Sequence, residues 1–315
     1  MKKKFTNNSL IKFLLLITLF STLLGCGSKN SLKELNITHV KAPLNVPTIV
    51  EYKEDRFNKA FGSDGVKVNF INLTTGPQQL QGIASGNVDI AHGVGAMSVI
   101  LAASNDMPLV ILNAYSRSPK SFMLISNRKD NSSLKGYKIA GPKGTILHQL
   151  LLNILEKQGI LPSEIEFVNM GLQEASAALE NGSVDAALLA GVIATNKLAE
   201  GKTLISTGEG IIDALVVSVT TEKFIKNNPK VIEKFLKVHN ETLDYISKNP
   251  EVALQYVSEE LMISLDEAKS QFLKYDFSSQ ITDKDMIEIE KTQDFLLKSG
   301  LQNKKIDLNK IIYSR

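Results

Sequence analysis

The chain has 315 residues, 43% hydrophobic and 22% charged, with a formal net charge of +3. Those shares exclude a disordered or fibrous chain, and the length allows one large core or two lobes. A single cysteine excludes a disulfide framework and a multi-cysteine metal site.

Lys2, Lys3, Lys4 and Lys12 precede an uncharged apolar run, Phe13 to Leu24, which ends in Leu23-Leu24-Gly25-Cys26. This is a basic n-region, an h-region too short to span a bilayer, and a small residue before a cut. The stretch resembles a bacterial lipoprotein signal: Leu, a variable residue, a small residue, then Cys. The resemblance implies removal of residues 1–25, lipidation of Cys26 and a mature chain anchored to a membrane. The bland alternative is an ordinary signal peptide with an incidental cysteine. Residues 1–25 hold four lysines and no acids, so their loss takes the charge from +3 to −1. The basic balance belongs to the signal, and no lysine or arginine cluster with interleaved aromatics argues for nucleic acid.

Residues 26–34 read as a small, polar tether. Leu35 to Val40 and Val66 to Leu73 alternate as strands, with a proline-bearing loop and a helical segment, Thr48 to Phe61, between them. Thr75-Gly76-Pro77 starts a helix that runs from Gln78 to Ser85, since proline is favoured just inside a helix start. Val88 to Ala91 is expected as a short strand, Gly93-Val94-Gly95 as the opening of another helix, and Leu109 to Ala114 as a strand.

The same grammar then repeats. Tyr137 to Ala140 reads as a strand, Gly141-Pro142-Lys143-Gly144 as a turn, and a helix starts near Thr145 and stops at Gly159. Leu147, Leu150, Leu151, Ile154 and Leu155 give that helix one apolar face. Glu166 to Met170 is a strand ending at Gly171, Gln173 to Leu179 a helix, and Val184 to Leu189 a strand. Both halves carry a helix end, a glycine turn and then Val-Asp: Val88-Asp89 and Val184-Asp185. Two βαβ-built lobes of similar plan account for this, as does a chance pairing of common α/β turns. After the strand Ala214 to Val219 everything is helical. The expected division is therefore 35–116 plus 217–315 in lobe 1 and 117–216 in lobe 2.

No catalytic set assembles in the sequence. His39, His92, His148 and His239 show no metal spacing, and there is no Gly-x-Ser-x-Gly elbow. Gly141 to Thr145 lacks the spacing of a phosphate loop. Asp89 and Asp185 fit turn capping better than a catalytic pair. His148 either packs beside Leu152 or donates to an anion. Neither a cofactor nor a metal is expected.

The run from Thr75 to Ile90 resembles the Gly-Pro-Gln … Leu … Gly … Gly-x-x-Asp signature of the aliphatic-sulfonate binding proteins. These belong to the ABC-importer receptors for sulfonates, taurine, nitrate and the thiamine pyrimidine. Leu134 to Ala140, Lys143-Gly144-Thr145 with His148, Leu155 to Ile160 and Gly182 to Ala186 are similar to further motifs of that family, in the same order. The resemblance implies an α/β, two-lobed type II periplasmic-binding-protein fold with the ligand in the cleft between lobes. It also implies a monomer that delivers a small solute to ABC permease and ATPase subunits. By motif, the ligand-binding candidates are Thr75, Gly76, Gly93, Val94, Gly95, Lys143, Gly144 and Thr145; strand-end position adds Asn45, Gly171 and Gly191. Helix N-termini from both lobes would converge there on an anionic head group.

Two departures narrow the ligand. The family's Thr-Gly-x-x-Pro-Pro is here His92 to Met97, and its Trp-Asp-Pro stretch is replaced by Leu188 to Ile193, in a chain with no tryptophan. A stacking face and a carboxylate for an amine are both lost, which disfavours a taurine-like zwitterion and favours a smaller or more aliphatic ligand. Tyr115 and Tyr137 remain as sources of a ring. The alternatives are an enzyme on the same fold, pyrimidine-synthase-like or menaquinone-branch-like, and a membrane-tethered sensing receptor.

Overall fold

A computed structural model describes residues 32–314. The expected signal peptide, Cys26 and most of the tether lie outside the described residues. β1 (Glu34–Thr38) and β2 (Lys67–Ile71) pair in parallel, with α1 (Val46–Lys53) and α2 (Arg56–Gly62) between them. The single helical segment expected from Thr48 to Phe61 is thus two helices. Pro47 fits within the first turn of α1, so that helix starts at Val46, and Asp55 breaks the run at φ 50.

Thr75 caps α3 (Gly76–Ala84). Its hydroxyl accepts from the Gln78 N–H at 3.4 Å, and the Gln78 side chain accepts from the Thr75 N–H at 3.2 Å. β3 (Ala91–Gly95) runs directly into α4 (Ala96–Ser104), and β4 (Leu109–Arg117) follows. This corrects the strand expected at Val88–Ala91 and the helix expected to open at Gly93. The antiparallel partner β10 (Leu215–Thr221) pairs with residues from Ala91 to Gly95, so the strand is fixed by a neighbour more than a hundred residues away.

Between Arg117 and Phe122 the chain passes to a five-stranded sheet. It contains β5 (Phe122–Ser126), β6 (Lys138–Gly141), β7 (Glu166–Asn169), β8 (Ala186–Ala190) and β9 (Thr203–Thr207), in the order β7-β6-β8-β5-β9. Its helices are α5 (Ile146–Lys157), α6 (Leu172–Glu180) and α7 (Gly191–Ala199). The chain then returns as β10, which sits between β3 and β4. A helical tail follows: α8 (Glu222–Asn227), α9 (Pro229–Lys248), α10 (Pro250–Leu261), α11 (Leu265–Phe272) and α12 (Asp283–Lys298).

The three-stranded sheet β3-β10-β4 and the five-stranded sheet each have their own core. Val94, Met97, Ile111, Val217 and Leu296 are buried around the first; Leu124, Ile139, Leu150, Leu151 and Leu188 are buried around the second. The apolar face of α5 is buried as its spacing requires, and each such leucine stabilises the fold by roughly 1.5–3 kcal/mol. The two Val-Asp motifs play one role. Asp89 N–H donates to the Asn36 carbonyl, and its carboxylate accepts the Asn36 N–H at 2.8 Å. Asp185 makes the same pair of bonds with Lys138, also at 2.8 Å to the carboxylate. Among the described residues no helix is long and apolar enough to cross a membrane.

Candidate functional site

A cavity of about 100 Å³ lies between the two sheet systems. Six helices of eight residues or more bring their N-terminal ends to its wall. Asn45 is the N-cap of α1, Thr75 and Gly76 begin α3, and Gly95 is the N-cap of α4. Thr145, Ile146 and Leu147 begin α5, Leu172 begins α6, and Ala190 is the N-cap of α7. The first N–H groups of a helix have no intrahelical acceptor and sit at the positive end of its dipole. Among the described residues no lysine, arginine, histidine, aspartate or glutamate lines the wall. Its field is set by backbone ends, hydroxyls and amides.

Of the eleven residues singled out from sequence, the structure brings Asn45, Thr75, Gly76, Gly93, Gly95 and Thr145 to this wall. The other five lie off it, each for a local reason. Val94 points into the core because β3 is a strand, and it is fully buried among apolar neighbours. Lys143 is exposed, and its N–H donates to Asn169 Oδ1 at 2.8 Å. Gly144, at φ 73, offers its carbonyl to the Ser98 hydroxyl at 2.7 Å and faces an outer groove. Gly171 is covered by the Glu174 carboxylate: a Cβ there would stand 2.5 Å from Oε2. Gly191 packs on Pro43, where a Cβ would meet both side chain and carbonyl at 2.7 Å.

Several wall residues were not singled out: Gln79, inside the Thr75–Ile90 run, and Ser98, Ser116, Ser118, Phe122 and Tyr275, which have no motif behind them. The Ser116-Arg117-Ser118 run at the predicted crossing was the available signal. Tyr275 comes from the helical tail, and no local pattern points to it.

His148 accepts the Gly144 N–H at 3.4 Å and lies against Phe167. Burial, with help from Lys143, holds its pKa down to about 4, so the ring is neutral and caps the turn rather than meeting an anion. The remaining histidines include a cluster that spacing could not show. Glu51 Oε1 lies 2.8 Å from His239 Nδ1, and Oε2 lies 3.1 Å from His92 Nε2. His92 Nδ1 meets the Ser218 hydroxyl at 2.8 Å. Burial alone would raise the Glu51 carboxyl; the two imidazoles outweigh it and hold the pKa at about 2. These three residues have a donor set able to hold a metal ion. Each carboxylate oxygen already lies within hydrogen-bond distance of one ring nitrogen, and the buried His239 Nε2 has no hydrogen-bond partner. The cluster stands behind the cavity, sealed by Phe57, Tyr115 and Phe235.

The model of the NMT1/THI5-like family matches residues 61–253, more than half of the chain. The chain belongs to that family. This NMT1/THI5-like protein is 28% identical over 183 residues to a Bacillus subtilis (strain 168) protein provisionally named an aliphatic sulfonates-binding protein. That match covers 55% of this chain and 54% of the relative. A second relative, the taurine-binding periplasmic protein of Escherichia coli (strain K12), is 26% identical over 204 residues, covering 63% of this chain and 62% of the relative. The matches therefore span about half to three-fifths of these relatives' length. Among solved structures, the alkanesulfonate-binding protein SsuA of Xanthomonas axonopodis pv. citri, bound to MOPS, superposes with a TM-score of 0.80 at 18% identity, covering 89% of this chain and 98% of SsuA. The SsuA of Escherichia coli gives 0.74 at 19%, covering 90% and 98%. The two-lobed periplasmic-binding-protein fold is thereby shown.

Proposed function

We propose that this NMT1/THI5-like protein is an extracytoplasmic solute-binding lipoprotein that delivers a small, anionic, sulfonate-like organic solute to an ABC importer. The observation that carries this reading is the convergence of six helix N-termini on one cavity whose wall has no charged side chain. An anion there meets helix ends with aligned dipoles without the desolvation cost of a buried cation. Hydroxyls, amides and helix ends bind a solute without making or breaking its bonds, so the reading is receptor rather than enzyme. The relatives' names, sulfonate and taurine binding, support the ligand class. The residues proposed to hold the ligand are Asn45, Thr75, Gly76, Gly93, Gly95 and Thr145.

The proposed anchor is Cys26, with residues 1–25 removed, and the proposed partners are permease and ATPase subunits that meet a monomeric, loaded receptor. Native mass spectrometry of the protein as purified, with fractionation of cells carrying Cys26→Ala, tests the proposal. A retained organic anion at 1:1, and membrane association lost in the variant, are the expected results. A protein that carries no small anion and stays in the cytosol with residues 1–25 attached would contradict it.

A further inference from the structure

A second cavity, of about 320 Å³, lies where the chain returns from the five-stranded sheet, and it shares no lining residue with the first. Two helix faces and the returning segment wall it. Glu288, Lys291, Thr292 and Phe295 follow the i, i+3, i+4, i+7 spacing of one face of α12. Gln149 and Asn153, one turn apart on α5, form the second wall, and residues 210–213 close the third side.

The two cavities differ in charge. No charged side chain lines the first, whereas Asp213, Glu288 and Lys291 line this one. The Asp213 carboxylate is paired, 3.4 Å from Lys284 Nζ. Glu288 and Lys291 are not: among the described residues neither has an ion-pair partner. The Glu288 carboxylate accepts one hydrogen bond, from the Asp213 N–H at 3.3 Å. Burial raises the Glu288 pKa and the Asp213 carboxylate adds to the rise, against that hydrogen bond, Lys291 and Lys284. Gln149 is buried, and its Nε2 donates to Thr292 Oγ1 at 3.0 Å. Among the described residues its Oε1 accepts no hydrogen bond, and the Asn153 side chain makes none. A carboxylate drawn part-way out of water without a cation costs free energy that a bound ammonium recovers.

We propose that this cavity is a second binding site, for a small amino acid whose ammonium meets Glu288 and the Gln149 oxygen and whose carboxylate meets Lys291 and the Asn153 amide. A simple amine would leave Lys291 unpaired, and a simple acid would leave Glu288 so; a zwitterion satisfies both. Lys291 is exposed and Glu288 is half-buried, so the acidic pole contributes the larger share. The volume lies near the lower end for small-molecule pockets, which suits a solute of a few carbons. The inference stands apart from the anionic-solute reading, since it uses none of the residues that reading assigns.

The chain has no tryptophan, so Phe295→Trp sets a single fluorescent reporter in this cavity. Fluorescence titration of that full-length variant, beside calorimetric titration of the wild-type chain, tests the proposal. The probes are glycine, β-alanine and 4-aminobutyrate, with butyrate and butylamine as controls that carry one charge each. At least one amino acid should bind 1:1 by both readouts, roughly tenfold more tightly than either control. Glu288→Gln should weaken that binding roughly tenfold, and Lys291→Met, at the exposed pole, roughly twofold. The unliganded melting temperature of Glu288→Gln should hold or rise, since a half-buried carboxylate without a cation is lost; a purely structural role would lower it. No binding of any amino acid, a control bound as tightly, heat without a tryptophan response, or unchanged affinity in Glu288→Gln overturns the site.

Discussion

Ser98, on α4, donates its hydroxyl at 2.7 Å to the carbonyl of Gly144, which belongs to the turn before α5. The bond ties the first sheet system to the second beside the cavity mouth. It is accompanied by two others between the same halves: Gln149 to Thr292 at 3.0 Å and Gln271 to Thr195 at 2.9 Å. All three join the two halves.

Ser98→Ala removes one of them without touching either core. A single net hydrogen bond contributes about 1 kcal/mol, so ligand affinity should fall roughly fivefold while the unliganded melting temperature holds. Titration calorimetry beside a thermal melt checks this. Equal losses of affinity and of unliganded stability would place Ser98 in the fold rather than in closure.

Gly95 gives a sharper test. Its φ of −63 suits any residue, but a Cβ there would stand 2.8 Å from Ile146 Cγ1 in the opposite half. Gly95→Ala should hold the halves apart and weaken binding by roughly 1–3 kcal/mol, the usual cost of overpacking. Ile146→Ala in the same chain should restore much of the loss, a coupling that a double-mutant cycle reads directly. Additive losses would contradict the contact.

The Glu51 cluster predicts stability rather than binding. Glu51→Gln leaves two buried imidazoles without their carboxylate and should cost about 3–5 kcal/mol of unfolding free energy in urea. A loss within the range of ordinary surface substitutions would show the cluster to be dispensable.

Acid should destabilise the protein through its buried histidines before its carboxylates; burial lowers the His92 pKa too. His39 and His148 are each held down from 6.5 to about 4, mainly by burial, with Lys41 and Lys143 adding repulsion. Folded pKa values below the unfolded ones mean that the unfolded chain binds more protons between pH 6.5 and 4. Their contribution is complete above 6.5 and is lost as the pH falls toward 4. Glu51, depressed to about 2, adds its own loss only below the ordinary carboxyl value of 4.5. Urea titrations at pH 7 and pH 4.5 should differ by a few kcal/mol, and His148→Gln should flatten the slope. A level profile between these pH values would contradict the buried, neutral assignment.

What the sequence made legible was local. The helix start at Thr75-Gly76-Pro77 and the apolar face from Leu147 to Leu155 depend on neighbours within a turn or two, and both stand in the structure, the helix beginning at Gly76 rather than Gln78. The βα turns are likewise local, so their glycines pointed to the cavity's edges. What failed depended on distant partners. β3 was misplaced because β10 sets its register, and β9 was not foreseen because its short alternation gains meaning only beside β5. Lys143, expected beside an anion because it follows a strand and precedes a helix start, stands exposed off the wall that its neighbours Pro142 and Thr145 line. Tyr275 joins the wall through a backbone bridge to Arg117, across more than a hundred and fifty residues. No periodicity announces such a bridge.

Six helix ends are proposed to receive a small oxyanion. A thermal melt across a panel of short alkanesulfonates, taurine, nitrate and bicarbonate tests it most directly. At ~100 times its dissociation constant, a ligand that binds only the folded chain adds about 2.7 kcal/mol of apparent stability. At least one anion of the panel should raise the melting temperature in a saturable, 1:1 manner, with alkanesulfonates ahead of taurine. A melting curve that no member of the panel moves would contradict the account.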